Sequence, residues 1–225
     1  MRLSTERERD DARSLAVLHA AFDAGVTFVD TSDAYCWDDS ETGHNERLIA
    51  RALETWSGDR ALVTVATMGG LTRPGGRWIP DGRATHLAAA CEASRRALGV
   101  DRIALYQLHA PDPQTSLSTS IRALDRLKRD GLVESIGLCN VNLRQLEEAR
   151  ALTEIDAVQV ELSVWNTGAM ASGVVPYCMA HGIRVIAYRP FGGPRKRRRL
   201  EADPVLAGIA SAHGVTPRSV SHVRV

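Results

Sequence analysis

Residues 25–35 read Gly25-Val-Thr-Phe-Val-Asp-Thr-Ser-Asp-Ala-Tyr35, and this stretch indicates the fold of the whole chain. Its apolar, β-branched part from Val26 to Val29 ends abruptly in Asp30, and Tyr35 follows in a polar segment. A buried strand that delivers polar side chains at its carboxyl end is typical of parallel α/β barrels, whose sites lie at that face. Asp30 and Tyr35 are therefore the first candidates for chemistry.

Strands and helices alternate along the rest of the sequence. Apolar runs predict five further strands, at residues 61–67, 102–109, 135–140, 158–162 and 184–190. Amphipathic or capped segments predict helices, at residues 11–24, 48–53, 84–98, 117–130 and 169–181 and from residues 142, 203 and 216 onward. Six strands, each with a helix before and after it, predict a single domain over residues 1–225 with a parallel (β/α) barrel of the TIM type. A doubly wound open sheet is the alternative, but no Gly-x-Gly-x-x-Gly turn follows the first strand.

The composition limits the classes of partner. The chain has 28 basic and 27 acidic residues, so no strong overall field attracts nucleic acid or an anionic membrane. The four cysteines are widely spaced without a Cys-x-x-Cys pair, which predicts neither a zinc site nor a disulfide framework. No signal peptide or membrane-spanning run is evident in the sequence, and a reducing cytoplasm is the expected location. A small-molecule substrate or a cofactor fits these properties, and no metal is expected.

Further polar and aromatic side chains stand at strand ends and in loops. The residues at strand ends are His109, Asn140, Gln159 and Tyr188, and the loop aromatics are Trp37 and Trp78. Loop aromatics at a barrel mouth predict a pocket for an apolar or aromatic substrate. The structural alternatives are a histidine and amides that only satisfy internal hydrogen bonds, and loop aromatics without a ligand. The basic run 195–199 reads first as a solvated loop, second as a phosphate contact and third as a nucleic-acid contact.

Taken together, these landmarks resemble the aldo-keto reductase family, in which Asp-Thr-Ser/Ala-x-x-Tyr is followed by Gly-x-x-Glu. The matching segments, in the family's order, are Asp30–Tyr35, Gly43–Glu46, Leu108–Asp112, Ile136–Asn140, Gln159 and Ala187–Pro190. They span most of the chain at spacings that fit a barrel. The resemblance implies an oxidoreductase that acts on a small carbonyl or alcohol substrate with NADP.

The same resemblance implies roles for individual residues. Tyr35 would donate a proton to the substrate carbonyl, His109 would orient that carbonyl, and Asp30 would be the buried electrostatic partner of Tyr35. The residues that would hold the nicotinamide are Asn140 and Gln159 on its carboxamide and Tyr188 against its ring. Cys139 stands where the family usually has a serine on that carboxamide.

The main departure from the family is Met68, which occupies the position of the family's lysine. A thioether carries no charge and donates no hydrogen bond, so Tyr35 lacks the cation that would favour its ionised form. An unpaired buried carboxylate is costly, so Asp30 is expected to have a raised pKa or to find another donor. Lys128 and Lys196, the other candidates, are placed in a helix and in a loop.

The ends of the barrel are a second departure. No strand is evident before residue 11, and the family's eighth strand and adenosine-phosphate loop have no counterpart before Val225. A barrel without its end strands is expected to expose sheet edges, which another segment or a second subunit would cover. A homo-oligomer formed by edge pairing is one expectation.

Three functions are consistent with these observations. The first is an NAD(P)H-dependent carbonyl reductase weakened by Met68. The second is a non-redox dehydratase, lyase or isomerase that uses Tyr35 and His109 on the same scaffold. The third is a catalytically silent assembly subunit.

Overall fold

A computed structural model describes residues 3–193 and 196–220 of the chain, and two compact units are distinguished in it. The first unit is Met1–Cys139 with Glu148–Ile155, and the second is Asn140–Glu147 with Asp156–Val225. The single domain expected over residues 1–225 stays a prediction.

The first unit is built on a parallel sheet. The strands in its described part are β1 Phe28–Asp30, β2 Thr64–Gly69, β3 Leu71–Thr72, β4 Ile79–Pro80, β5 Ile103–Leu108 and β6 Val133–Cys139. β1, β2, β5 and β6 are parallel neighbours in that order, while β3 and β4 form a short antiparallel ribbon. In the register of the sheet Met68 is opposite Gln107, and Gln107 is opposite Gly137. These three residues therefore face the same side of the sheet.

Capping residues in the sequence fix where several helices begin and end. The first five are α1 Asp11–Asp23, α2 His44–Thr55, α3 Ala84–Leu98, α4 Leu117–Arg129 and α5 Leu143–Arg150. The side chains of Asp10 and Ser116 accept hydrogen bonds from backbone N–H groups in the first turns of α1 and α4. Gly99 ends α3 with a φ of 67°, as the sequence predicts. Asn142 and Gln145 form the predicted capping box through two hydrogen bonds of 2.9 Å.

The second unit pairs the last two strands. β7 Ala157–Glu161 and β8 Arg184–Tyr188 are parallel. The helices of its described part are α6 Gly168–Ala171, α7 Val174–Ala180, α8 Arg197–Ala202, α9 Pro204–Ala212 and α10 Pro217–Val220. Asp203 caps α9 by accepting from two backbone N–H groups, which confirms the helix start predicted at Pro204. The predicted extension of the last helix to residue 225 lies outside the described residues.

Three predicted segments differ from the structure. The strand expected at 61–67 is β2, which begins only at Thr64. The Asp59 side chain caps a 3₁₀ turn at Arg60–Leu62, and this turn keeps its residues out of the sheet. The helix expected at 169–181 is divided into α6 and α7, since Gly173 has a φ of 84° between them. The segment around Trp78, which the sequence predicts as a loop, carries the β3–β4 ribbon.

The core of the first unit lies on both faces of its sheet. Side chains that are essentially inaccessible include Tyr106, Met68, Leu87, Ile103, Leu108, Ile121, Leu124, Ile136 and Leu138. A second cluster joins α1 to α2 through Leu18, Phe22, Leu48, Ile49 and Ala52. Burial of these side chains, each worth about 1.5–3 kcal/mol by transfer, fixes the helices against the strands.

The described residues thus contain six parallel strands with helices between them, which confirms the α/β fold of the TIM-barrel type. β1, β2, β5, β6, β7 and β8 correspond to the six strands that the sequence predicts. Within the residues that are described, no helix combines the length and the apolar character needed to cross a membrane.

Candidate active site

The carboxylate of Asp30 is held by an amide. Nε2 of Gln107 donates a hydrogen bond of 2.8 Å to Oδ1 of Asp30, across two strands of the sheet. Gln107 is fully buried, whereas Asp30 is partly exposed rather than buried as expected. Asp30 therefore has another donor, as the sequence analysis expected for a chain without lysine at residue 68.

The reach of Gln107 depends on a glycine in the next strand. A Cβ atom at Gly137 would lie 2.6 Å from Cγ of Gln107, closer than carbon atoms approach. Gly137 lies on β6 directly opposite Gln107. Only a residue without a side chain at this position leaves room for the Gln107 amide to cross toward Asp30.

Met68 lies on the same side of the sheet as Gln107 and is completely buried. Its Sδ is 4.0 Å from Sγ of Cys139, and that thiol lies 3.6 Å from Oε1 of Gln107. Burial raises the pKa of the Cys139 thiol well above its ordinary value, so the thiol is neutral. The thiol beside the Met68 sulfur is thus neutral where a lysine would place an ammonium group.

Tyr35, Trp78 and His109 form one aromatic cluster in the first unit. The ring centroids of Tyr35 and His109 are 5.6 Å apart, and those of Tyr35 and Trp78 are 6.2 Å apart, both nearly perpendicular. The Trp78 and His109 centroids are 6.0 Å apart. Edge-to-face packing at these distances is favourable and fixes ring orientation. The structure therefore brings together the proposed proton donor, the proposed orienting histidine and one pocket aromatic.

His109 is oriented by a hydroxyl that sequence analysis did not single out. Nδ1 of His109 lies 3.1 Å from Oγ of Ser32, and that oxygen is also 3.0 Å from the carbonyl of Met68. Burial lowers the pKa of His109 to about 4, so its imidazole is neutral at pH 7. The Ser32 hydroxyl has one proton. When it donates to the Met68 carbonyl, Nδ1–H of His109 donates to Ser32 and Nε2 is an acceptor; when it turns to donate to Nδ1, the ring proton is on Nε2 and can be donated to a carbonyl oxygen.

Trp37, the other predicted pocket residue, contributes differently. Its side chain is exposed, and its backbone carbonyl accepts a hydrogen bond of 2.9 Å from Nη2 of Arg73. A role of the Trp37 ring in substrate binding stays a prediction.

Two buried carboxyl groups lie beside the cluster and were not predicted as functional. Asp33 and Glu46 are almost inaccessible to solvent. Burial, with the neighbouring Glu46 carboxyl, raises the pKa of Asp33 to about 7. Burial also raises the pKa of Glu46, whose Oε1 accepts a hydrogen bond of 2.5 Å from the Thr67 hydroxyl. Both acids therefore keep their protons to a higher pH in the folded protein than in the unfolded chain.

The proposed cofactor residues lie in the second unit. The backbone N–H of Asn140 donates to the carbonyl of Gln159 at 3.1 Å, and the Tyr188 hydroxyl donates to Oδ1 of Asn140 at 2.8 Å. Asn140 has a φ of 59°, a left-handed conformation that asparagine tolerates better than most residues. Gln159 is 4% exposed, and its Nε2 has no hydrogen-bond partner among the described residues.

A cavity of about 350 Å³ in the second unit is lined by two of these residues, Asn140 and Tyr188. Asn140, Glu161 and Tyr188 line it together with Asn142 and Gln145. The orphan amide donor of Gln159 fits the carbonyl oxygen of a carboxamide, and this fit is the property that a nicotinamide site needs.

The structure describes only part of the basic run 195–199. Residues 194 and 195, and the side chains of residues 197 and 198, lie outside the description. Residues from 197 onward form α8 rather than the expected loop. The guanidinium of Arg199 lies 4.9 Å from the ring centroid of Trp165, so this member of the run packs on an aromatic face.

Sequence signals existed for some of the residues that were missed. Gln107 stands two positions before His109, and period-two alternation places the two on one side of a strand. Ser32 lies inside the Asp30–Tyr35 motif. No local pattern indicated the burial of Asp33 and Glu46, because it depends on how α2 packs against the sheet.

Comparison with known proteins gives one family. A sequence model of the aldo/keto reductase family matches residues 1–222. A thermostable aldo-keto reductase solved with the inhibitor epalrestat is 25% identical, with a TM-score of 0.76 over 97% of this chain and 74% of that one.

Two further solved structures show the same fold. The glycerol dehydrogenase of Gluconobacter oxydans is 23% identical, with a TM-score of 0.82 over 98% of this chain and 74% of that one. An aldo/keto reductase from Klebsiella pneumoniae, solved with NADP and acetate, is 24% identical, with a TM-score of 0.75 over 96% of this chain and 72% of that one.

Proposed function

The chain belongs to the aldo/keto reductase family, and we propose that it interconverts a small carbonyl compound and its alcohol with a nicotinamide cofactor. Family membership supports an oxidoreductase. The observation that carries the proposal for this chain is the packing of Tyr35 against a neutral, buried His109 at a centroid distance of 5.6 Å. A phenol that can donate a proton, next to a neutral imidazole that can donate a hydrogen bond, suits the protonation of a carbonyl oxygen.

We assign the role of proton donor to Tyr35. In the reductive direction its hydroxyl donates to the developing alkoxide. Nε2 of His109 donates a hydrogen bond to the same oxygen and orients it, in the tautomer in which the Ser32 hydroxyl turns from the Met68 carbonyl to Nδ1. Ser32 positions His109 through Nδ1 at 3.1 Å. Asp30, held by Gln107, provides the electrostatic support of the site.

We assign the binding of the nicotinamide to residues of the second unit. The unpartnered Nε2 of Gln159 and the side chain of Asn140 would bind the carboxamide, and Tyr188 would lie against the nicotinamide ring. When bound, the nicotinamide supplies or accepts the hydride. The aldo/keto reductase from Klebsiella pneumoniae was solved with NADP, which supports NADP as the cofactor proposed here.

Met68 is the reason to expect slow carbonyl reduction. An ammonium group at this position would stabilise the ionised form of Tyr35, and a thioether does not. Positioned acid catalysis contributes about 10²–10⁴-fold to such reactions, so a weakened acid gives a slow enzyme rather than an inactive one. We expect carbonyl reduction that is measurable but slow.

The test is the oxidation of NADPH by purified protein with a panel of small aldehydes and ketones, together with a fluorescence titration of NADPH. Tyr35→Phe should lower kcat by about 100-fold or more, because it removes the proton donor. Tyr177→Phe in α7 is the matched control and should retain the rate of the unmodified protein. Absence of NADPH binding and of turnover would reject the proposal.

A non-redox lyase or isomerase is the second candidate, favoured by a thioether at residue 68 in place of an ammonium group. The group 4.0 Å from its Sδ is the neutral thiol of Cys139. Turnover of a substrate without any nicotinamide, lost in Tyr35→Phe, would support this candidate. Failure of both kinds of turnover would leave a catalytically silent assembly subunit as the remaining function.

A further inference from the structure

Arg73 is a buried cation without an anionic partner among the described residues. Its side chain is only 5% exposed, although arginine is usually among the most exposed residues. Nη2 donates to the carbonyl of Trp37, while Nε and Nη1 are buried and have no hydrogen-bond partner in the described part of the chain. The guanidinium lies over the ring of Trp78.

Among the described residues, no carboxylate forms an ion pair with Arg73. None of the ion pairs found there includes Arg73, which lies between β3 and the turn Pro74–Gly76. Arg73 acts on the thiol of Cys36, as do the carboxyl groups of Asp33, Glu41 and Asp38, and burial raises the pKa of that thiol to about 11. Cys36 is therefore neutral at pH 7 and supplies no counter-charge.

An unpaired buried guanidinium is expensive to maintain. Arginine stays protonated in proteins, so it cannot avoid the desolvation penalty by losing its proton. Leaving a charged donor buried and unsatisfied costs several kcal/mol. A fold that keeps this cost beside a candidate active site is better explained by a ligand than by packing.

Trp78 connects Arg73 to the aromatic cluster. Cζ of Arg73 lies 3.8 Å from the Trp78 ring centroid, and the same ring contacts Tyr35 and His109 edge to face. One indole therefore separates the guanidinium from the groups proposed to act on the carbonyl. A ligand that reached both places would have an anionic group several bonds from its carbonyl carbon.

The ribbon that carries Trp78 is short, and glycines join its two strands. The Trp78 side chain is 47% exposed, and β3 and β4 are only two residues long each. Gly75 and Gly76 join them with φ values of 56° and 79°. A cation–π contact is weaker than the pair of charge-assisted hydrogen bonds that a carboxylate makes with a guanidinium. A carboxylate can thus replace the indole at the guanidinium.

We propose that Arg73 binds a carboxylate of the substrate, with Trp78 as the movable cover of this site. The inference rests on the proposed function for the carbonyl chemistry and deepens it: the preferred substrates are aldehydes or ketones that carry a carboxylate remote from the carbonyl. The cover moves away when the carboxylate binds, and the unpartnered N–H groups at Nε and Nη1 are then satisfied.

Binding is tested without any turnover. Glutarate is titrated into the protein by calorimetry, with dimethyl glutarate as the neutral counterpart and inorganic phosphate as a second anion. Glutarate should bind, the diester should not, and Arg73→Met should weaken glutarate binding by at least 10-fold. Arg77→Met, which removes an exposed arginine of the same ribbon, is the control and should bind glutarate normally. Equal binding of the acid and the diester, or tighter binding of phosphate than of glutarate, would overturn the assignment of a carboxylate site.

Turnover is tested with a matched pair of aldehydes, 4-formylbenzoate and its methyl ester. The ratio of their kcat/KM values should favour the acid by at least 10-fold, fall toward one in Arg73→Met and recover partly in Arg73→Lys. Thermal melts establish that the variants are folded, and the ratio within each variant is independent of a general loss of rate. A ratio near one in the unmodified protein overturns the inference. Glutarate binding through Arg73 without reduction of either aldehyde rejects the proposed function and keeps the anion site.

Discussion

Nε2 of Gln107 donates to Oδ1 of Asp30 at 2.8 Å, so a neutral amide holds the carboxylate at the centre of the candidate site. The two residues are 77 positions apart in the sequence. An amide donates a hydrogen bond but adds no charge, which leaves Asp30 engaged without the ammonium that the family resemblance implies.

Gln107→Leu should destabilise the protein by about 1–3 kcal/mol, because a partly buried carboxylate loses its donor. Urea denaturation of Gln107→Leu, Asp30→Asn and the double variant measures the coupling between the two side chains. Additive effects of the two single substitutions would show that the hydrogen bond contributes nothing to stability.

Gly137→Ala should destabilise the protein by about 1–3 kcal/mol, because the new methyl group would lie 2.6 Å from Cγ of Gln107. Shortening the neighbour in Gly137→Ala/Gln107→Ser should restore part of the loss. Gly208→Ala is the control, since nothing lies within 4 Å of that position in α9, and it should be neutral or slightly stabilising. Equal melting temperatures of Gly137→Ala and the unmodified protein would contradict the steric argument.

Asp33→Asn should change the pH dependence of stability. The pKa of Asp33 is raised from 3.8 to about 7, so the folded state holds a proton that the unfolded state releases above pH 4. The resulting stabilisation is fully present below pH 3.8 and is lost as the pH rises through about 7. Asp33→Asn should therefore gain stability relative to the unmodified protein between pH 5 and pH 9, by an amount on the order of 2 kcal/mol.

The comparison between variant and parent removes the effects of other groups. The lowered pKa of His109 acts in the opposite direction, since its contribution is lost as the pH falls from 6.5 through about 4. The raised pKa of Glu46 acts in the same direction as that of Asp33. Urea denaturation at several pH values provides the measurement, with the exposed Asp101→Asn as control. A stability difference that does not vary with pH would show that Asp33 does not titrate as described.

Met68→Lys should raise the rate of carbonyl reduction by 10-fold or more, because an ammonium at this buried position favours the ionised form of Tyr35. Met68→Leu keeps the position uncharged and should leave the rate near that of the parent. The assay is kcat with NADPH and a small aldehyde, and the gain should vanish when Asp30→Asn removes the partner of the new cation. A rate in Met68→Lys no higher than in Met68→Leu would remove the electrostatic explanation for slow turnover.

The sequence predicted the elements of this fold because their signals are local. The apolar run that ends at Asp30, the cap at Asp203 and the stop at Gly99 each depend on neighbouring residues. The same locality gave the cluster residues Tyr35, in the segment that follows β1, and His109, directly after β5. The predicted ends of strands were less accurate where a local hydrogen bond competed with pairing in the sheet, as at the 3₁₀ turn Arg60–Leu62 before β2.

Tertiary structure alone decided how the site is arranged. The bond between Gln107 and Asp30, the space left by Gly137 and the burial of Arg73 under Trp78 each join residues from different elements. A strand pattern fixes the side on which a residue lies, but not the partner that it meets across the sheet. The sequence by itself therefore determined the fold and the chemical groups, and packing determined which of these groups became neutral, paired or left with unpartnered donors, because desolvation and hydrogen bonding depend on atoms that are distant along the chain.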